Sequence, residues 1–217
     1  MRGYRMGSGT LRMNVALTEL PRFSCMPGEG AGIHHQSGII IAPSLAYMHR
    51  AIVDARCDGW SHEPIIEMLI PSTVDDSLAP PGAHVASPFC QQFAPRLTAG
   101  GGWDAQRERV ADLVVDTVSS HAPNFRASII ARQVHTPLDL ERRFGLTDGD
   151  IMHGDLRLDQ LWAARPTTGY GGYRTPVRNL YLCGSGAHPG GGVSGLPGRN
   201  AARVMLRDSG PLGWLRG

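Results

Sequence analysis

The order of apolar runs predicts an α+β fold: a mixed sheet packed by helices, followed by a strand–glycine loop–helix unit near the C-terminal end. Three observations carry this. Short β-rich runs fall between residues 11 and 89, one strongly periodic helix follows them, and strands and helices are interspersed without the strict alternation of a parallel βαβ sheet.

Residues 11–17, Leu-Arg-Met-Asn-Val-Ala-Leu, alternate apolar and polar for most of their length, which predicts a half-buried strand ended by Pro21. A Gly-rich link over 27–32 leads to 38–42, where Ile39-Ile40-Ile41 reads as a fully buried strand. Ser44 is placed to cap a helix whose apolar face, Leu45, Met48 and Ile52, stops at Gly59. Residues 65–70 are again strand-like, cut by Pro71, and 84–89 form a short strand weakened by Pro88. The clearest helix is 103–120, with Val110, Leu113, Val114, Thr117 and Val118 on one stripe and Pro123 beyond its end. A strand over 125–134 and one or two helical turns over 138–144 follow. Residues 145–178 lack periodicity and are rich in Gly, Pro, Tyr and Arg; long irregular segments of this kind tend to be functional. Residues 179–183 read as a final strand, and Pro197 suits the first turn of a final helix. The chain thus divides into 1–145 and 146–217.

Composition removes several function classes. A net charge of +2 with no basic stripe interleaved with aromatics gives no reason to expect nucleic acid. All 21 basic side chains are arginine, so Schiff-base chemistry, a pyridoxal-phosphate anchor and a P-loop lysine are excluded within these residues. Cys25, Cys57, Cys90 and Cys183 show no paired spacing and read as free, mostly buried thiols of a reducing compartment. Residues 1–14 have no continuous apolar stretch of a secretory signal, and no run approaches the length of an integral membrane span, so a soluble intracellular protein is expected. His34-His35 and His62-Glu63 have no third ligand at helical or strand spacing, so no metal is expected. The serine-hydrolase elbow fails because Gly192-Val193-Ser194-Gly195-Leu196 sets its closing glycine one position early.

The informative stretch is 180–203, Leu-Tyr-Leu-Cys-Gly-Ser-Gly-Ala-His-Pro-Gly-Gly-Gly-Val-Ser-Gly-Leu-Pro-Gly-Arg-Asn-Ala-Ala-Arg. A strand entering a glycine-lined turn that opens a helix aims backbone N–H groups at a phosphate or another electron-rich edge. Gly190, Gly192 and Gly195 fit G-x-G-x-x-G, but a Rossmann unit needs a second strand and an acidic residue downstream, and only Asp208, followed by Ser-Gly-Pro, remains. A dinucleotide here would be touched as a second contact, its main site lying elsewhere.

This run, with Gly149-Asp150-Ile151-Met152-His153-Gly154 and Leu158-Asp159-Gln160-Leu161-Trp162-Ala163-Ala164-Arg165-Pro166, closely resembles the C-terminal half of the phytoene-desaturase-like flavoproteins, in the branch of the pyridine nucleotide-disulfide oxidoreductase domain-containing protein 2 group. The likeness extends upstream through Arg12-Met13-Asn14-Val15-Ala16-Leu17, through residues 37–48 and through Glu67-Met68-Leu69-Ile70-Pro71-Ser72. It implies FAD as cofactor, with the ADP part held by an N-terminal Rossmann unit and the glycine loop closing over pyrophosphate, ribityl and flavin. It also implies oxidation of a largely apolar substrate by C–H desaturation or a related redox-assisted isomerisation, in the bacterial cytoplasm or the mitochondrial matrix. Only the second half of the family pattern is matched. The chain is therefore either that half of an FAD-dependent oxidoreductase or a non-catalytic substrate-binding and FAD-closing piece that needs a Rossmann partner chain.

The resemblance assigns cofactor contact to Gly184, Ser185, Gly186, Gly190, Gly191, Gly192 and Val193. His153 is the candidate for a polar group near the reacting centre, against a loop-histidine role. Gln160 and Arg165 share the ambiguity of His153, between a polar group near the reacting centre and a hydrogen-bonded loop residue, while His188 either faces the flavin edge or braces the turn. Arg199, Arg203 and Arg207 lie at one helical spacing as a solvated face, with a phosphate contact open at Arg199.

Overall fold

Alternation decides the first strand. In the computed structural model, which describes residues 3–7, 9–28, 30–97 and 100–210, Thr10–Leu17 (β1) buries Leu11, Met13, Val15 and Leu17 completely while Arg12 and Asn14 face outward. Ile39–Ile41 (β2), Ile66–Leu69 (β3), His84–Gln91 (β4) and Ile129–His135 (β5) join it in a five-stranded sheet of order β2-β3-β4-β1-β5. The α+β class holds, but the sheet is not mixed: every hydrogen-bonded pair is antiparallel. β4 and β5 run in the same direction, yet β1 lies between them and opposes both.

Three expectations need correction at the level of single residues. The isoleucine run is an edge strand rather than a buried one, with Ile40 67% exposed, because β2 has a neighbour on one side and cover on one face. Pro88 does not shorten β4; the ladder to β1 skips the pairs opposite Pro88 and Ser87 while the ladder to β3 continues through both, which accommodates a residue without an N–H donor. The first four residues of the 125–134 run, Phe125–Ser128 (α3), are helical and lead the chain into β5.

Leu45–Asp58 (α1) begins where Ser44 Oγ accepts the Tyr47 N–H at 3.1 Å and ends at Gly59, whose N–H donates to Ala55 O. Gly102–His121 (α2) lays Trp103, Val110, Ala111, Val114, Val115 and Val118 onto the sheet, and these residues form one core with the inward side chains of β1, β3 and β4. Leu113 and Thr117 of the expected stripe are only half-buried, so the stripe is centred one position later than the periodicity suggests. Pro137–Phe144 (α4) carries a capping box: buried Thr136 Oγ1 accepts the Asp139 N–H, and Asp139 Oδ2 accepts the Thr136 N–H at 2.9 Å. Thr136→Ala removes the Oγ1 that accepts the Asp139 N–H and donates to Asp139 Oδ2 at 2.8 Å, leaving the backbone N–H bond, and is expected to cost about 1–2 kcal/mol, measurable as a lower urea midpoint with an unchanged m-value.

Among the described residues the opposite face of the sheet carries no helix comparable to α2. There Ile40 and Leu69 (53% exposed) stand beside Phe89, over which the Arg12 guanidinium lies at 5.6 Å. These residues with Glu67 and Ser87 line a cavity of about 320 Å³.

The sheet and α1–α4 belong to one compact unit, Gly9–Gly149; Met1–Ser8 with Asp150–Gly217 make a second. In the second unit the expected strand over 179–183 does not form. Arg174 and Tyr181 make a single antiparallel bridge, supported by Thr175 N–H to Leu180 O at 3.1 Å and Leu182 N–H to Tyr173 O at 2.8 Å. A strand needs a ladder, and here only 173–175 runs alongside, leaving Leu180 and Leu182 exposed. Leu196–Asp208 (α5) closes the described chain, with Pro197 in its first turn and Arg199, Arg203 and Arg207 all exposed.

The four cysteines are free, as expected, but only Cys90 is buried, where desolvation pushes its thiol pKa up; Cys25, Cys57 and Cys183 are exposed. Among the described residues no helix is long and apolar enough to cross a membrane, and no group of three His, Cys, Asp or Glu side chains could hold a metal ion. His35 is a core residue whose ring bonds Pro21 O and the Gly32 N–H.

Candidate functional site

The glycine loop is built on a scaffold of side chains that bind backbone. Tyr173 OH donates to His188 O at 2.9 Å and accepts from Asn200 Nδ2 at 2.9 Å, tying the loop to α5. Tyr173, Ala187 and Ala201 are buried together with Val204 against them. Arg174 grips Asp208 with two bonds of 2.8 and 2.6 Å, and Tyr181 OH donates to the same carboxylate, which raises the Tyr181 pKa. Both ends of the 174–208 stretch are thereby fastened.

Within that frame the amides of Gly184, Ser185, Gly186, Gly191, Gly192 and Val193 donate to no acceptor among the described residues. Ala187 N–H closes a tight turn on Gly184 O at 3.0 Å. Gly184 and Gly192 have φ of +86 and +114, and a Cβ added to either would meet nothing within 4 Å. Backbone that is open on one side with unpaired donors is suited to close approach by an anionic or electron-rich ligand. Val193 strengthens the point: a β-branched residue at φ 55, fully exposed, carries strain of about 1–3 kcal/mol that concentrates at functional loops. His188 Nδ1 is buried and has no hydrogen-bond partner among the described residues, a polar atom awaiting one.

The segment 150–165 lies against this loop. A methyl on Gly186 would sit 3.7 Å from His153 Cβ, and one on Gly191 would press the Met152 sulfur at 3.2 Å. The structure therefore brings His153 beside Gly186, exposed and at φ 56, with its carbonyl accepting Tyr4 OH at 2.8 Å. Gln160 is structural: its side-chain amide pairs with Arg5 through Oε1 at 2.6 Å and Nε2 at 2.9 Å. Buried Asp150 accepts the Gly7 and Met152 N–H groups at 3.0 and 2.8 Å. Arg165 is wholly buried and donates to Ser185 O at 2.7 Å, from directly under the loop. The roles of Tyr4, Tyr173 and Asn200 carry no motif, because each acts across a sequence gap, Tyr4 and Tyr173 on backbone carbonyls that any sequence would supply and Asn200 on the Tyr173 hydroxyl.

Burial, and the charge of Asp150 nearby, raise the Asp155 carboxyl above the usual carboxylate range. An acid raised on folding binds more protons folded than unfolded, so its contribution to stability is present while it is protonated and is lost as pH rises through the folded pKa. Asp155→Asn should therefore stabilise the chain at neutral pH, with the gain shrinking on acidification into the carboxylate range; thermal melts across pH check the sign.

No family model matches the chain. It is 46% identical over 206 residues to the pyridine nucleotide-disulfide oxidoreductase domain-containing protein 2 of Rattus norvegicus, covering 93% of this chain and 36% of that protein. A phytoene desaturase (lycopene-forming) of Pantoea ananas is 28% identical over 185 residues, 82% of this chain and 36% of its own length. One component of the limonene dehydrogenase of Castellaniella defragrans is 29% identical over 136 residues, 62% of this chain and 24% of its own length. The chain thus spans roughly a third or less of the curated relatives it matches. A match that runs through both compact units, from β1 to the glycine loop, makes this chain a member of the phytoene-desaturase-like oxidoreductases, in the pyridine nucleotide-disulfide oxidoreductase domain-containing protein 2 group.

Proposed function

We propose that the chain is the substrate-binding and flavin-covering part of an FAD-dependent oxidoreductase acting on a largely apolar substrate, in the bacterial cytoplasm or the mitochondrial matrix. The observation that carries this reading is the row of amides at Gly184–Gly186 and Gly191–Val193 that donate to no acceptor among the described residues. Bound there, FAD supplies the two-electron chemistry. The chain's own part is to orient the ring with these amides and with the positive end of α5, and to exclude water. Gly190, buried against the Arg165 side chain, keeps the turn tight beneath the ligand. His153, beside Gly186, is the proposed polar group at the reacting end.

The ADP part of FAD is assigned to a Rossmann unit outside these 217 residues, in a longer chain or a partner chain. Exposed Leu180 and Leu182, on a segment with one bridge and no sheet, support its completing a sheet supplied by that unit. An apolar substrate suits the sheet face at Ile40, Leu69 and Phe89. It also suits the relatives' names, since limonene and phytoene are hydrocarbons.

The test is a titration of the chain with FAD, followed by flavin absorbance and fluorescence, alone and with the Rossmann-bearing segment of a relative. Binding in either arm is expected. No binding in both overturns the proposal.

A further inference from the structure

Arg165 is fully buried, yet every hydrogen bond its guanidinium donates goes to a neutral backbone carbonyl. Nε reaches Ser185 O at 2.7 Å; Nη1 reaches Gly154 O and Gln160 O, each at 3.3 Å; Nη2 reaches Gly154 O at 3.3 Å and also Met152 O. Among the described residues no carboxylate forms an ion pair with it. A methyl on Gly190 would touch its Cδ and Nε at 3.6 Å, so the side chain runs beneath both turns of the loop.

Two consequences follow from this geometry. The planar fork fixes the spacing between 152–154, 160 and 185, a task for which a flexible ammonium is a poor substitute. A buried cation bound only to carbonyl dipoles also retains its net charge, and such charge is costly unless something of opposite sign completes it. The amides of Gly184, Ser185 and Gly186 belong to the turn whose Ser185 carbonyl this guanidinium holds.

We propose that Arg165 is the positioning residue of the glycine loop and the source of a fixed positive charge that favours the reduced, negatively charged form of the loop's flavin over the oxidised form. This rests on the flavin reading above. Tyr4, His153, Asp150 and Asp155 are the other titratable side chains close to this segment; buried Asp150, which like Arg165 acts on Tyr4, partly offsets the guanidinium charge while accepting the Gly7 and Met152 N–H groups and forming no ion pair with it among the described residues.

The test compares the wild-type chain with Arg165→Lys and Arg165→Gln under the conditions that give FAD binding. Titrations with oxidised and with chemically reduced FAD give two dissociation constants, and their ratio reports charge because a purely structural defect weakens both alike. Lys is expected to weaken both by about tenfold with the ratio held, and Gln to lower the ratio by about tenfold. A wild-type ratio in the Gln variant overturns the charge role. Where that variant does not fold, Arg165→His replaces it, with the ratio expected to fall as pH rises through the imidazole range; a ratio flat with pH overturns the role equally.

The positioning role is read without flavin. Proteolysis between residues 184 and 195 should be about tenfold faster in Arg165→Lys, with cleavage inside Gly9–Gly149 unchanged, since local opening governs cutting. Wild-type cleavage overturns positioning. If the wild type binds neither form of FAD but the Lys variant is cut faster, the flavin reading and the charge role fall and positioning stands. If the wild type binds FAD and both variants match it in affinity and cleavage, the flavin reading stands and this inference falls.

Discussion

Gly192→Ala is expected to leave the fold in place and to weaken FAD binding by about 100-fold, equivalent to about 2.7 kcal/mol. The residue sits at φ +114, where a Cβ is strained whatever its surroundings, so a cost of about 1–2 kcal/mol in stability accompanies the change. For a chain of this length that is a fall in Tm of about 2–8 °C. Nothing in the protein lies within 4 Å of the added methyl. The methyl therefore stands in the space through which a ligand must approach the amides of Gly191 and Val193, and it holds the ligand away from donors that bind only at close range. Gly198→Ala is the matched control: it lies on α5, also with open space around its Cβ but with no positive φ. It should be neutral or slightly stabilising through helix propensity and should leave FAD affinity unchanged. Equal affinities for the two variants would show that the loop backbone is not the contact surface.

The largest loss of stability is expected from Trp103→Ala, about 3–5 kcal/mol in urea unfolding. Trp103 is 2% exposed at the start of α2, with its indole centred 6.1 Å from Phe93 and 6.3 Å from Trp60. Its Nε1–H donates to Ala94 O at 3.0 Å, so truncation opens a cavity and also leaves a carbonyl without that donor. A domain of ordinary stability has about 5–15 kcal/mol in total, which makes this single contact a large share of it. Trp103→Phe keeps most of the apolar volume and should cost markedly less; equal losses for Phe and Ala would mean that the hydrogen bond, not the packing, dominates.

How much of this was legible depended on whether the signal was local. Ser44 and Gly59 bound α1 where capping chemistry put them, and β1 follows its alternation residue for residue, because both signals are contained in the segment that obeys them. The edge position of Ile39–Ile41 was hidden, since periodicity reports which residues are apolar and not which strand has a neighbour missing. The antiparallel pairing was hidden for the same reason: the insertion of β1 between β4 and β5 is a fact of topology. At the site, the glycines of 184–195 were visible because composition is itself the signal where backbone must stay open. The parts that hold the loop were not. Arg165 under Ser185, Tyr173 on His188 and Tyr4 on His153 bind carbonyls, and a carbonyl has no letter in the sequence. The failed strand at 179–183 has the composition of a strand and lacks only a partner along its edge.

The most direct test of the central claim is the backbone amide NMR spectrum of the chain, isotopically labelled, recorded with and without FAD. The amide resonances of Gly184, Ser185, Gly186, Gly191, Gly192 and Val193 are expected to shift most, and downfield, as N–H groups without an acceptor among the described residues acquire one. Binding of FAD with these six amides unmoved would contradict the claim.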